Sequence, residues 1–173
     1  MLQDLLPQAE RIAAKLKARG ETISIAESST AGMISAALLA IAGASAYFIG
    51  GAVVYTRQSR TALLEVTEQE LIGITPSTEA YALLFARKIR GKLATDWSVG
   101  ETGTAGPTGS RYGHAAGHSC IAVMVPMANA RSPSKPARAT GSTTCAPFRS
   151  PRWISWRRGS PDRSDLPDGG CGV

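Results

Sequence analysis

Three short stretches of this 173-residue chain gather hydroxyls and glycines. They are Glu27-Ser28-Ser29-Thr30-Ala31-Gly32, Tyr55-Thr56-Arg57 and Glu101-Thr102-Gly103-Thr104-Ala105-Gly106-Pro107. In the first, hydroxyls open a predicted helix, where free backbone N–H groups meet the positive end of the helix dipole. Ala31 and Gly32 are small enough for a ligand to approach the backbone. Such a turn suits a phosphate, or the oxyanion formed when an amide or ester is attacked. The plainer reading is that Ser28, Ser29 and Thr30 only cap the helix.

The third stretch runs into a glycine-rich loop, Gly103 to Gly117. Its N–H groups could wrap a phosphate, or its glycines could serve ordinary turns. It matches neither the P-loop nor the dinucleotide fingerprint. Arg57, Arg60 and Arg111 flank the same region. Arginines are usually solvated charges, yet a phosphate-bearing ligand would want such partners. His114 and His118 lie in the loop without a carboxylate or cysteine in zinc spacing, so no metal is expected.

The elements that must position these stretches follow from apolar spacing. Residues 3–19 read as a helix with Leu5, Ile12, Ala13 and Leu16 on one face and Gly20 as the stop. Residues 22–27 read as a strand, 31–42 as a helix ended by Gly43, and 47–55 as a strand with a bulge at Gly50-Gly51. A short helix is expected at 57–65. A longer one follows, capped by Thr75 or Ser77 with Pro76 in its first turn, and carries Tyr81, Leu84, Phe85, Ile89 and Leu93. Strands at 97–102 and 118–125 complete the pattern. Alternating helices and strands predict an α/β layered fold with a mixed sheet, its last strand pair free to be antiparallel. Ligands of open α/β sheets bind beyond the carboxyl ends of the strands. If the first three strands are parallel neighbours, the three stretches share one crevice.

Composition sets the boundaries. The formal charge of +6 is unevenly spread. Residues 1–125 hold 11 Lys+Arg against 10 Asp+Glu, and residues 126–173 hold 8 against 3. The later segment also has 7 of the 10 prolines and few large aliphatic side chains, so its basicity belongs to a stretch that builds little core. The chain thus divides into an α/β domain over 1–125 and an irregular basic tail over 126–173. Three cysteines without close spacing suggest free thiols in a reducing compartment. No run approaches the ~20 apolar residues of a membrane span. The N-terminus lacks a signal-peptide core, so a cytoplasmic location is expected.

A shifted reading frame is a second account of the tail. With one permitted codon choice, residues 141–157 read two bases downstream encode LDDLRAFSQSALDLLA, an amphipathic helix.

The three stretches resemble one known family. Residues 26–32 are similar to its AESCTGG motif, Gly43 to Tyr55 to its GSS-x-x-F-x-x-G-x-V-x-Y stretch, and Thr102 to Pro107 to its [ST]GIAGP motif. The family is the C-terminal domain of competence/damage-inducible protein CinA, the nicotinamide-nucleotide amidase group. The resemblance implies a three-layer α/β/α sandwich with a mostly parallel, mixed central sheet. It implies hydrolysis of the carboxamide of nicotinamide mononucleotide to nicotinic acid mononucleotide and ammonia. By motif, Ser28 is the implied nucleophile, with Tyr55, Thr102 and the Arg60 position assisting. Ser29, Thr30, Gly32, Gly103, Thr104, Gly106 and Arg57 are the implied substrate contacts. No cofactor is implied; the expected partners are a small nucleotide and further copies of the chain, not nucleic acid or membrane.

Departures from the pattern matter as much. The family's YSNEAK ends in a lysine thought to act as base, whereas this chain reads Tyr55-Thr56-Arg57-Gln58-Ser59-Arg60. A lysine can lose its proton in a protein; a guanidinium, with a pKa above ~12, cannot. Base assistance is worth ~10²–10⁴-fold in rate. Glu101 and His114 are the alternative bases. The competing readings are an amidohydrolase, an impaired nucleotide-binding protein in which Arg60 clamps an anion, and a tail-driven nucleic-acid binder. The frame-shift reading has a direct check: sequencing the coding region beside close genomic copies is expected to reveal a one-base insertion or deletion that restores the helix.

Overall fold

The computed structural model describes residues 2–126 and the strand at 141–147; the remainder of the tail, where most of the frame-shift reading falls, lies outside the described residues. In chain order the elements are α1 Leu2–Arg19, β1 Ile23–Glu27, α2 Met33–Leu39, β2 Phe48–Val53, α3 Arg57–Leu64, α4 Glu79–Leu93, β3 Trp97–Thr104, β4 His118–Met124 and β5 Gly141–Pro147. The sheet order is β2-β1-β3-β4-β5. β1 is parallel to both β2 and β3, while β4 runs antiparallel to β3 and β5 antiparallel to β4.

Strand alternation sends successive side chains to opposite faces. Ile23 and Ile25 of β1 pack with Ala9, Ala13 and Leu16 of α1 and Ala37 and Leu38 of α2. Ala26 joins Leu64 of α3 and Tyr81, Leu84, Phe85 and Ile89 of α4 on the other side. The result is the expected α/β/α layering around a mixed sheet. Because β1 sits between β2 and β3, the carboxyl ends of all three point the same way.

Several local expectations are corrected. Helix α2 ends at Leu39, well before Gly43, which instead precedes a 3-10 turn at Ala44–Ala46. Thr78, not Thr75 or Ser77, caps α4: its backbone is extended and its Oγ1 accepts from Tyr81 N at 3.4 Å. The β1–β2 register slips where Ile23 faces Phe48 and Ser24 faces Gly50, so Ile49 is the extra residue and the bulge begins one position before the glycine pair. A regular strand, β5, stands within a stretch whose periodicity had suggested none; β4 offers it an open edge. The free-thiol expectation fails at Cys120, which is disulfide-bonded; the β4–β5 register sets it opposite Cys145, a proximity that sequence spacing does not reveal.

Among the described residues, no helix is long and apolar enough to cross a membrane. The layer spacing behind the cleft is fixed at Gly100 of β3. A Cβ there would lie 2.1 Å from the Ala82 carbonyl oxygen and 2.5 Å from Ala86 N, both backbone atoms of α4. Ser98 reinforces the contact by donating to the Ala86 carbonyl at 2.7 Å. Helix and strand must separate to admit even a methyl group. Gly100→Ala is expected to destabilise the fold by about 1–3 kcal/mol, read from the midpoint of denaturant unfolding.

Candidate functional site

Two buried carboxylates organise the ends of β1 and β3. Glu27, the last residue of β1, accepts from Ile34 N at 2.9 Å, Ser35 N at 2.8 Å, Ser35 Oγ at 2.7 Å and Thr30 Oγ1 at 2.7 Å. It therefore occupies the N-terminus of α2, where a negative charge meets the unpaired amides of the first turn. Glu101 of β3 is also fully buried. It accepts from Ser28 N at 2.9 Å, Thr30 N at 3.1 Å and Ser119 Oγ at 3.0 Å, and from Ser29 Oγ in a very short contact; Thr30 Oγ1, 2.9 Å away, shares its one proton between this carboxylate and Glu27. Between them the two side chains take up the Ser28 and Thr30 amides and the Ser29 and Thr30 hydroxyls, donors that the sequence had offered to a ligand.

This changes the expected role of the hydroxyl-rich turn. The N-cap of α2 is Gly32, without a side-chain cap, so Ser28, Ser29 and Thr30 do not cap the helix. Nor do the turn's amides face a phosphate: those of Ser28 and Thr30 donate to Glu101. Ser29 and Thr30 direct their hydroxyls at buried carboxylates, and neither they nor Gly32 line the cleft described next. All three, expected as substrate contacts, thus lie outside its lining.

The strand ends do open onto one cleft of about 490 Å³. Ser28, Tyr55, Arg57, Arg60, Thr102, Gly103, Thr104, Gly106 and Arg111 all line it. Ser28 Oγ has no hydrogen-bond partner among the described residues, and its backbone is held from behind by Glu101. Tyr55 is 74% exposed at the mouth. Thr102 is buried, its Oγ1 accepting from Ser77 N at 3.3 Å. Ser77 is itself a lining residue in a left-handed backbone conformation, φ 62°, and its carbonyl lies 2.9 Å from His118 Nε2.

The ionisable lining of the cleft consists of guanidinium groups and phenols: Arg57, Arg60 and Arg111 with Tyr55, Tyr81 and Tyr112. Arg60 reaches it from the first turn of α3, which Thr56 and Ser59 start with reciprocal side-chain-to-backbone bonds. Its Nη1 donates to Tyr81 Oη at 3.1 Å and its Nη2 to Glu68 Oε1 at 3.1 Å. Neither alternative base is placed to serve Ser28 Oγ. Glu101 touches the Ser28 amide rather than the hydroxyl, and His114 stacks on His118, ring centroids 4.3 Å apart, outside the lining. Sequence reasoning missed Ser77, Tyr81, Tyr112 and Glu68. Tyr81 was legible only as part of a buried helical stripe and Ser77 only as a candidate cap; Tyr112 and Glu68 carried no signal of their own.

The family model of the CinA C-terminal domain matches residues 6–137. The chain belongs to that family. A CinA-like protein of Gloeobacter violaceus is 41% identical over 107 residues, covering 62% of this chain and 25% of the relative. The chain thus spans about a quarter of the curated relatives it matches. A CinA superfamily protein from Enterobacter cloacae superposes with a TM-score of 0.69 at 27% identity, over 81% of this chain and 76% of that one. The competence/damage inducible protein CihA from Agrobacterium tumefaciens gives 0.70 at 27%, over 84% and 81%.

Within this CinA domain, Glu101 carries a measurable share of stability. Glu101→Leu removes the acceptor for two amides and several hydroxyls in a dry interior. It is expected to cost about 3 kcal/mol or more in denaturant unfolding, against a few tenths for a surface glutamate such as Glu79.

Proposed function

We propose that the cleft binds a nicotinamide-type mononucleotide and hydrolyses its carboxamide, with Ser28 as nucleophile. The observation that carries this reading is a Ser28 hydroxyl without a hydrogen-bond partner among the described residues, on the wall of a cleft whose charged lining, among those residues, is guanidinium. A nucleotide phosphate is met by Arg57, Arg60 or Arg111, which suits a planar fork of donors to a phosphate oxygen set. Membership of a family that includes nicotinamide-nucleotide amidases supports the choice of substrate.

The reaction then runs in two stages. Ser28 Oγ attacks the carboxamide carbon, its proton moves to the departing nitrogen, and the C–N bond breaks to release ammonia. Water attacks the resulting ester, frees the carboxylate and returns a proton to Ser28. Amide plus water gives acid plus ammonia, with no cofactor. Oxyanion stabilisation falls to the glycine-rich wall at Gly103–Gly106 rather than to α2, whose N-terminus Glu27 already fills.

A specific observation favours a second reading, a nucleotide-binding domain with impaired chemistry. Arg60 occupies the position of the family's base lysine, and its guanidinium donates to Tyr81 and Glu68. A guanidinium supplies charge but does not take a proton from serine.

Purified protein given nicotinamide mononucleotide is expected to release ammonia, slowly, and Ser28→Ala to release none. Arg60→Lys is expected to raise turnover, by up to about 10²-fold, as base assistance is restored. Absence of ammonia from folded protein that still binds the nucleotide would select the second reading.

A further inference from the structure

Arg57 and Arg60 both line the cleft, and both donate to a single oxygen of a residue that does not. Glu68 Oε1 accepts from Arg57 Nε at 3.2 Å and from Arg60 Nη2 at 3.1 Å. The Arg60 side chain is only 10% exposed, whereas that of Glu68 is 61% exposed. With Nη1 given to Tyr81, Arg60 still has a buried Nε that finds no acceptor among the described residues. A guanidinium is built to grip an anion through two parallel donors, and an oxyanion with three acceptor oxygens satisfies it better than one carboxylate oxygen shared between two arginines.

We infer that Glu68 is a built-in competitor for the ligand's phosphate: its carboxylate occupies the Arg57–Arg60 pair until phosphate displaces it. The inference deepens the nucleotide reading and rests on it for the identity of the natural ligand.

The local structure permits the exchange without moving the backbone. The segment bearing Glu68 is pinned on both sides to α4. Lys88 Nζ donates to the Glu65 carbonyl at 3.0 Å and pairs with Glu70 at 2.8 Å, and Lys92 pairs with the Glu65 carboxylate. The Lys88 contact, with Thr67 adding a backbone donor, holds the Glu70 carboxyl down to about 2. Leu71 N also donates to the Glu68 carbonyl at 3.1 Å. Only the Glu68 side chain must rotate, and the released carboxylate enters water that already reaches it. Exposed ion pairs hold weakly, so a doubly charged phosphate displaces a single carboxylate. The competitor also screens the two arginines from stray monoanions.

Isothermal titration calorimetry on the full chain tests this with two probes, inorganic phosphate and nicotinamide mononucleotide. Glu68→Gln is expected to bind each about two- to fivefold more tightly than the unaltered protein, the loss of one exposed pair expressed as affinity. Glu68→Ala is expected to do the same. The gain disappears when Arg57→Ala is added to Glu68→Gln. Glu70→Gln, which removes a carboxylate paired to Lys88 outside the cleft, leaves phosphate affinity unchanged. An equal gain in Glu70→Gln would reduce the effect to net charge and overturn the proposal. So would phosphate affinity that is unchanged, weaker or undetectable in Glu68→Gln. Tighter phosphate binding in Glu68→Gln without nucleotide binding to any form would sink the nucleotide reading and leave the competitor standing.

Discussion

The architecture of the site depends on where one buried negative charge finds its donors. Glu101 stands in β3 with no cation within hydrogen-bonding reach among the described residues. Its compensation comes from the amides of Ser28 and Thr30 and the hydroxyls of Ser29, Thr30 and Ser119. A carboxylate in a dry interior is tolerated only when such donors are fixed in place. The turn after β1 is therefore tied to β3 by side-chain hydrogen bonds as well as by the strand pairing. Glu27 performs the matching task one layer away, on the first turn of α2. Thr30 joins the two, its hydroxyl lying 2.7 Å from one carboxylate and 2.9 Å from the other.

That arrangement divides the labour of the cleft. In the turn that looked like an anion-binding element, the Ser28 and Thr30 amides and the Ser29 and Thr30 hydroxyls already serve protein carboxylates. The lining is left with arginine side chains for negative charge and with glycine-rich backbone for close approach. Ser28 is the hinge of this division: its amide faces inward to Glu101, and its hydroxyl has no hydrogen-bond partner among the described residues. The protein thus separates the task of holding the serine from the task of holding a ligand, and assigns them to different walls.

The layered fold was legible because apolar spacing survives in nearly every element through residue 125. Ala13 and Leu16 of α1 and Tyr81, Leu84, Phe85 and Ile89 of α4 fall where helical periodicity put them. The convergence of residues 28, 55 and 102 was legible too, because parallel strands bring their carboxyl ends to one side. The donors of Glu101 were not. A strand glutamate looks the same in sequence whether it meets water, a base's task or five converging donors, and Ser119 reaches it from a strand that only the β3–β4 register brings near. Glu68 was invisible for a different reason: it is an exposed acid in a connecting segment that also carries Glu65 and Glu70, and its meaning comes from two arginines that α3 places opposite it. β5 escaped notice because its pairing is dictated by the vacant edge of β4 more than by its own composition.

Gly103 carries a consequence for how this cleft can change over evolutionary time. A side chain there would begin 2.3 Å from the His118 carbonyl oxygen and 2.5 Å from Ser29 Oγ. The rear surface is therefore filled to the limit of atomic radii, and drift in ligand preference has no foothold on it. New preferences must arise along the opposite rim, where Tyr55, Arg57 and the loop carrying Arg111 and Tyr112 face solvent and can be exchanged one at a time while the scaffold behind stays unaltered.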